Sequence, residues 1–265
     1  MDVSESVSLK KGAALFWTFG MNQVRCCLFP ALIFVALAVT KVVSIPGIAR
    51  YDLLFVICVL IQLVLLGIKF ETLDEFKVIM LFHVIGLALE IYKIQVGSWS
   101  YPEPGLIKLG GVPLYSGFMY ASIGSYICKA WKVFDLHVAH WPKSVIVWLL
   151  CGGIYFNFYT HHYIWDFRWW LISLVFVVFF RTRVSFQVDD LRLTMPMTLS
   201  FFLIGFFIWL AENIASFLGA WAYPDQLERW RPVHLGKITS WYLLIIISIM
   251  LVAELKQIKR ERLVD

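Results

Sequence analysis

Long, continuously apolar runs divided by short polar breaks set the pattern of this chain. After a polar start, residues 12–24 read as an interfacial or amphipathic approach interrupted by Arg25. Apolar stretches follow at about 26–44, 51–69, 76–95, 112–131, 144–160, 168–180, 194–217 and 235–255. A helix rises about 1.5 Å per residue, so each run is expected to cover roughly the 30 Å of a bilayer's hydrocarbon core. Strands are not expected, because the runs are continuous rather than alternating. The expected fold is an all-α polytopic membrane protein with about eight transmembrane helices.

Composition agrees. Of the 265 residues 60% are hydrophobic and 15% charged, against roughly 45–50% and 25% in soluble domains, which excludes a large soluble protein with a greasy core. The net charge of +5 does not imply nucleic acid, because the cations sit at the ends of apolar runs, where they set orientation and meet lipid headgroups. With the N-terminus cytoplasmic, fifteen of the 23 Lys and Arg fall on the cytoplasmic side, so both termini of this multi-pass protein are expected there. The start does not read as a cleavable signal, since no small-residue cleavage site closes the first apolar stretch. Cys26, Cys27, Cys58, Cys128 and Cys151 form no CxxC pair and read as small packed hydrophobes.

One motif occurs twice. EIYKIQVGSWSYPEP begins at Glu90 and ENIASFLGAWAYPDQ at Glu212, so that Glu90, Gly97, Trp99, Tyr101 and Pro102 recur without a gap as Glu212, Gly219, Trp221, Tyr223 and Pro224. The shift of 122 residues is close to half the chain and crosses an even number of spans, which implies two parallel four-helix repeats rather than an inverted pair. The organisation expected is an N-terminal polar or interfacial segment (1–25), a first repeat (26–142), a second repeat (143–256) and a basic cytoplasmic tail (257–265).

Glu90 and Glu212 are the leading candidates for chemistry, since a carboxylate inside a span is costly and usually faces a polar cavity or a partner. His83 lies two helical turns before Glu90 on the same face and is a third candidate, for proton relay; its counterpart is Gly205. Trp99, Tyr101, Trp221 and Tyr223, with Asn213 and Tyr115, are expected to wall a pocket and to steady an extended apolar or cationic group. A polar cluster of Asn157, His161, His162 and Asp166 lies at a span end. If that stretch is helical, His162 and Asp166 face each other at i, i+4. A divalent metal shared with Glu90 and Glu212 is weighed against a tight helix–helix turn with Asp166 paired to Arg168, and the turn is preferred; no cofactor is expected. Gly117, Ala121, Gly124 and Ser125 repeat small residues on one face and predict a close helix crossing.

EIYKIQVGSWSYPEP, GGVPLYSGFMYASIGSY and NFYTHHYIWDFRWW resemble segments of the YoaT-like family of bacterial integral membrane proteins (domain of unknown function 817). This implies a polytopic protein of the bacterial inner membrane. Glu90, Gly97, Trp99, Tyr101 and Pro113 also follow, more distantly, an outline similar to that of the membrane lycopene cyclases and carotenoid hydratases. Where those enzymes carry paired glutamates after the proline, this chain has Leu114, Tyr115 and Ser116. The functions expected are an acid–base enzyme acting on an apolar lipid or isoprenoid, a proton-coupled small-solute transporter, or a noncatalytic membrane protein. Membrane lipids are the expected partners.

Overall fold

The structure is a computed structural model that describes residues 3–261, with side chains from 11 to 253. In chain order it holds α1 (Val3–Cys26), α2 (Leu28–Val42), α3 (Arg50–Gly67), α4 (Leu73–Gln95), β1 (Lys108–Leu109), β2 (Val112–Pro113), α5 (Tyr115–Val133) and β3 (His137–Ala139). There follow α6 (Ser144–Thr160), α7 (Arg168–Val178), β4 (Arg183–Val188), β5 (Leu191–Pro196), α8 (Met197–Phe217), a 3-10 turn (Pro224–Gln226) and α9 (Lys237–Glu261). The mostly helical expectation holds, with corrections. Residues 12–24 are not a separate approach: they belong to α1, which carries Arg25 in its last turn and bends by 67° into α2. The expectation of no strands is corrected as well: Arg183–Val188 pairs with Leu191–Pro196 as a β4–β5 hairpin, and β3 adds an antiparallel strand. The hairpin's β-branched residues suit strands, and Asp189 turns it at φ 50, a left-handed position that Asp tolerates.

By length and composition α3, α4 and α8 can each cross a membrane, and the bent α1–α2 pair makes up to four such elements. These apolar helices are compatible with membrane insertion. The expectation that all eight runs are long enough is corrected at α7: its 11 residues reach only about 16 Å. Of the expected basic tail, residues 262–265 lie outside the described residues.

The helices that position the site start and stop on local signals. Thr72 caps α4 in a reciprocal box with Glu75 (Thr72 N to Glu75 Oε2 2.8 Å, Glu75 N to Thr72 Oγ1 3.3 Å), satisfying two amides that a helix start leaves open. α4 ends where Gly97 takes φ 71, with Ser98 N bonded to Lys93 O and Gly97 N to Ile94 O. α8 ends in the same way at Gly219, φ 78, with Ala220 N on Ala215 O and Gly219 N on Ser216 O. Both are left-handed glycine caps that reverse the chain and satisfy the last carbonyls.

Two apolar clusters make up most of the core. One gathers mainly α2–α5 around Phe29, Leu54, Ile79 and Phe118 and takes in Ala215 and Ala220; the other gathers mainly α6–α9 around Ile154, Val175, Phe201 and Ile246 and takes in Phe82, Ile127 and Cys128 of α4 and α5. The predicted small-residue crossing is present, since a Cβ on Gly117 would meet the His83 carbonyl at 2.9 Å and one on Gly124 the Phe82 ring at 3.0 Å. α8 and α9 approach as closely, since a Cβ on Gly205 would meet the Tyr242 backbone nitrogen at 2.9 Å.

Candidate functional site

Glu90 lies one turn before the end of α4, and the reversal at Gly97 returns Trp99 and Tyr101 over its carboxylate. Trp99 Nε1 donates to Oε2 at 2.6 Å and Tyr101 OH to the same oxygen at 2.7 Å, while Tyr120 OH of α5 donates to Oε1 at 2.7 Å. Around Glu212 the pattern recurs with one exchange. Tyr223 OH donates to Oε1, but the indole comes from α9, Trp241 Nε1 to Oε2 at 2.9 Å, rather than from Trp221. Among the described residues neither carboxylate forms a salt bridge. An indole N–H only donates. Each Oε2 therefore accepts from an indole, while each Oε1 lies against a tyrosine hydroxyl, a group that can both donate and accept.

The two loops meet directly. Ser100 and Ala222, 122 positions apart, exchange both backbone hydrogen bonds, Ser100 N to Ala222 O at 2.9 Å and the reverse at 3.0 Å. Trp99 packs edge-on against Tyr223 with centroids 6.0 Å apart, and Tyr120 lies 6.4 Å from Trp241. Lys237 Nζ stands 5.0 Å from the Trp99 centroid and 4.6 Å from that of Tyr223. These rings thus hold a cation of the chain itself.

Both carboxylates line one cavity of about 1140 Å³, together with Trp99, Tyr101, Trp221 and Tyr223. Its polar end carries Lys93, Ser98, His161, His162, Arg168 and Lys237; its long body is walled by apolar side chains such as Phe34, Met119, Ile123 and Phe207, down to Phe19 and Phe186. A cavity of this size exceeds the roughly 300–1,000 Å³ of common small-molecule sites.

The other expected residues divide. His83 is buried against the Phe118 ring (centroids 4.5 Å apart) and does not line the cavity. Two helical turns place it on Glu90's face, but close packing against Gly117 encloses it. Tyr115 donates to Ala220 O, and Asn213 accepts from Val233 N at 2.9 Å, so both fix the loops rather than wall the pocket. The i, i+4 pairing of His162 with Asp166 is corrected. After Thr160 the chain leaves the helix; Asp166 takes the Arg168 guanidinium at 3.2 Å and the Asn157 amide at 3.0 Å, while His162 Nε2 faces Lys93 Nζ and Ser98 Oγ, each at 3.3 Å. Asn157, His161 and His162 do reach the cavity; Asp166 does not. Partial loss of hydration lowers the pKa of both histidines, even though His162 keeps an exposed edge, helped by Lys93 and, for His162, by His161. Burial alone would raise the Asp166 pKa, but the Asn157 amide and the Arg168 backbone N–H and guanidinium outweigh it and hold the carboxyl below 3.8. Among the described residues no group of three or more His, Cys, Asp or Glu is placed to hold a metal ion.

Sequence reasoning missed Tyr120, Trp241, Lys93 and Lys237. Lys93 was within reach, three residues after Glu90 on one helix surface. Trp241 was not, because Tyr120 maps by the 122-residue shift onto Tyr242 and the second donor comes from the neighbouring position.

Residues 15–249 match the family model described as a protein of unknown function (DUF817). The chain is 55% identical over 243 residues to the uncharacterized protein YoaT of Bacillus subtilis (strain 168), covering 92% of each. A solved structure titled as a cross-linked trimer of a cysteine variant of MvINS aligns with a TM-score of 0.47 at 12% identity, over 68% of this chain and 93% of that one.

Proposed function

The chain belongs to the DUF817 family, and we propose that its two carboxylates perform acid–base chemistry on an apolar lipid or isoprenoid enclosed within the bilayer of a bacterial inner membrane. The observation that carries this reading is that Glu90 and Glu212, each clothed in aromatic N–H and O–H donors, open onto one large and mainly apolar cavity. One carboxyl delivers its proton to a double bond, forming a C–H bond and leaving a cationic carbon. The other carboxylate removes a proton from the carbon next to the cation, or from a water whose oxygen bonds to the cationic carbon itself. Isomerisation results in the first case, hydration in the second. The apolar walls keep bulk water from competing.

The same reading takes the halves as a parallel duplication, α2–α5 and α6–α9, about an axis near Ser100 and Ala222. Their reciprocal pairing and the matched glycine caps support it. The halves together supply eight membrane-embedded elements, of which α7 is too short to cross the hydrocarbon core as a helix by itself, with both termini cytoplasmic. Loops 43–49, 96–114, 161–167 and 218–236, and with them the polar end of the cavity, then face away from the cytoplasm.

The test is replacement of Glu90 and Glu212 separately by Gln, followed by comparison of lipid extracts from cells expressing each variant. The amide cannot exchange the proton, so each substitution should change the extract, with accumulation of a precursor. Lipids identical to those of the parent strain in both variants would dispose of the reading.

A further inference from the structure

The acid–base reading leaves two lysines unexplained. Lys93 is only 2% exposed, yet its ammonium meets no carboxylate. It donates to Phe158 O at 2.8 Å, faces the Phe158 ring at 3.9 Å and meets His162 Nε2 at 3.3 Å. Lys237 rests over Trp99 and Tyr223. Among the described residues neither lysine forms a salt bridge. Asp166, the anion nearest Lys93, is taken by Arg168 and Asn157, while Glu90 and Glu212 attract Lys237 through space without touching it. A buried ammonium with no carboxylate in contact is costly, and such groups are ordinarily paired; this holds for Lys93, while Lys237 brings a second cation to the same place. Both lysines line the same end of the cavity as Ser98, His162 and Arg168.

We propose that this end binds the phosphate of a lipid phosphate monoester, with Lys93 and Lys237 as its counter-charges, Ser98 and His162 as further hydrogen-bonding partners, and the lipid tail along the apolar body of the cavity. Ammonium groups and a hydroxyl suit a compact oxyanion that accepts from several directions. Depth suits it too. Exposed Tyr163, Trp165, Trp169 and Trp170 flank the same turn, and such aromatics settle at headgroup level. His162 is exposed and leaves the phosphate end accessible from outside. A free phosphate ion would use the cations and leave the apolar body unused, so a lipid is the ligand assigned.

This assignment rests on the lipid reading of the cavity, and one experiment separates the two. The purified full-length protein in neutral detergent is titrated with phosphatidic acid, with diacylglycerol of the same chains and with inorganic phosphate, and bound species are counted by native mass spectrometry. Phosphatidic acid should bind about tenfold or more tightly than diacylglycerol, and inorganic phosphate far more weakly than either. Lys93→Met and Lys237→Met should each cut that preference several-fold while diacylglycerol binding persists. Should Lys93→Met fail to fold for want of its bond to Phe158 O, Lys237→Met carries the test. Equal binding of the two lipids, a preference that survives both substitutions, or inorganic phosphate bound as tightly as phosphatidic acid overturns the headgroup assignment alone. Binding of neither lipid removes the lipid reading of the cavity and this assignment with it.

Discussion

Glu90→Ala, set beside Glu90→Gln, tests the site at its centre. Glu90 is 5% exposed and accepts from Trp99, Tyr101 and Tyr120 at 2.6–2.7 Å. Alanine strands all three donors, and a stranded buried donor costs about 1–3 kcal/mol. The tyrosine hydroxyls can turn toward the cavity, whereas the Trp99 indole is fixed by its ring, so the loss should total roughly 3–6 kcal/mol. Glutamine keeps its amide oxygen on Trp99 and Tyr101. Its NH2 then meets Tyr120, whose hydroxyl rotates to accept, and the loss should stay below about 2 kcal/mol. Thermal melting in detergent, followed by gel filtration of the protein that stays unaggregated, should place the alanine variant about 5–20 °C below the parent, with the glutamine variant only a few degrees down. The reasoning is refuted if the two variants melt together. In that case the aromatic donors are not held by this carboxylate.

Other substitutions probe the frame around the site. Gly86→Ala sets a Cβ 2.5 Å from Tyr120 Cβ, so α4 and α5 must part at a cost of about 1–3 kcal/mol, read as a lower melting temperature together with loss of lipid binding; an unchanged melt would contradict the packing. Arg50 donates to Leu37 O, Leu218 O, Gly219 O and Glu103, at 3.1, 2.7, 3.1 and 2.6 Å, so Arg50→Lys, with no planar fork, should recover only part of what Arg50→Met loses in the same melt. Gly219→Ala places a side chain at φ 78 and should cost about 1–2 kcal/mol, where Gly152→Ala, in an open helical position, should be neutral or mildly stabilising. Partial loss of hydration holds the folded pKa of His161 and His162 below 6.5, with Lys93 adding to it. Their contribution to stability is therefore complete above 6.5 and is lost as pH falls from there through the folded values. Melting temperature should drop between pH 7 and 5, and His161→Gln with His162→Gln should flatten that slope; a slope unchanged in the double variant would assign it elsewhere.

Much of this protein is legible in one dimension. Continuous apolar runs specify helices because a backbone leaving water must satisfy itself locally, and α3, α4 and α8 stand close to where hydropathy places them. The repeated Glu–Gly–Trp–Tyr–Pro motif marks both carboxylates and both glycine caps, since the glycine's φ and the reversal after it depend only on neighbouring residues. The β4–β5 hairpin is hidden by its charges, which break the apolar pattern without giving the alternation that marks a strand. What the order of residues could not decide is which side chains meet across helices. His83 shares a helix face with Glu90, yet the Gly117 crossing shuts it away, whereas Tyr120 and Trp241, unmarked by the repeat, complete the two carboxylate shells. Lys93 and Lys237 are 144 positions apart and acquire a shared role only because α4 and the start of α9 end on one cavity. Local patterns act through bonds between near neighbours and survive in the sequence; a cavity is the space left by packing distant segments, and only the tertiary structure places it.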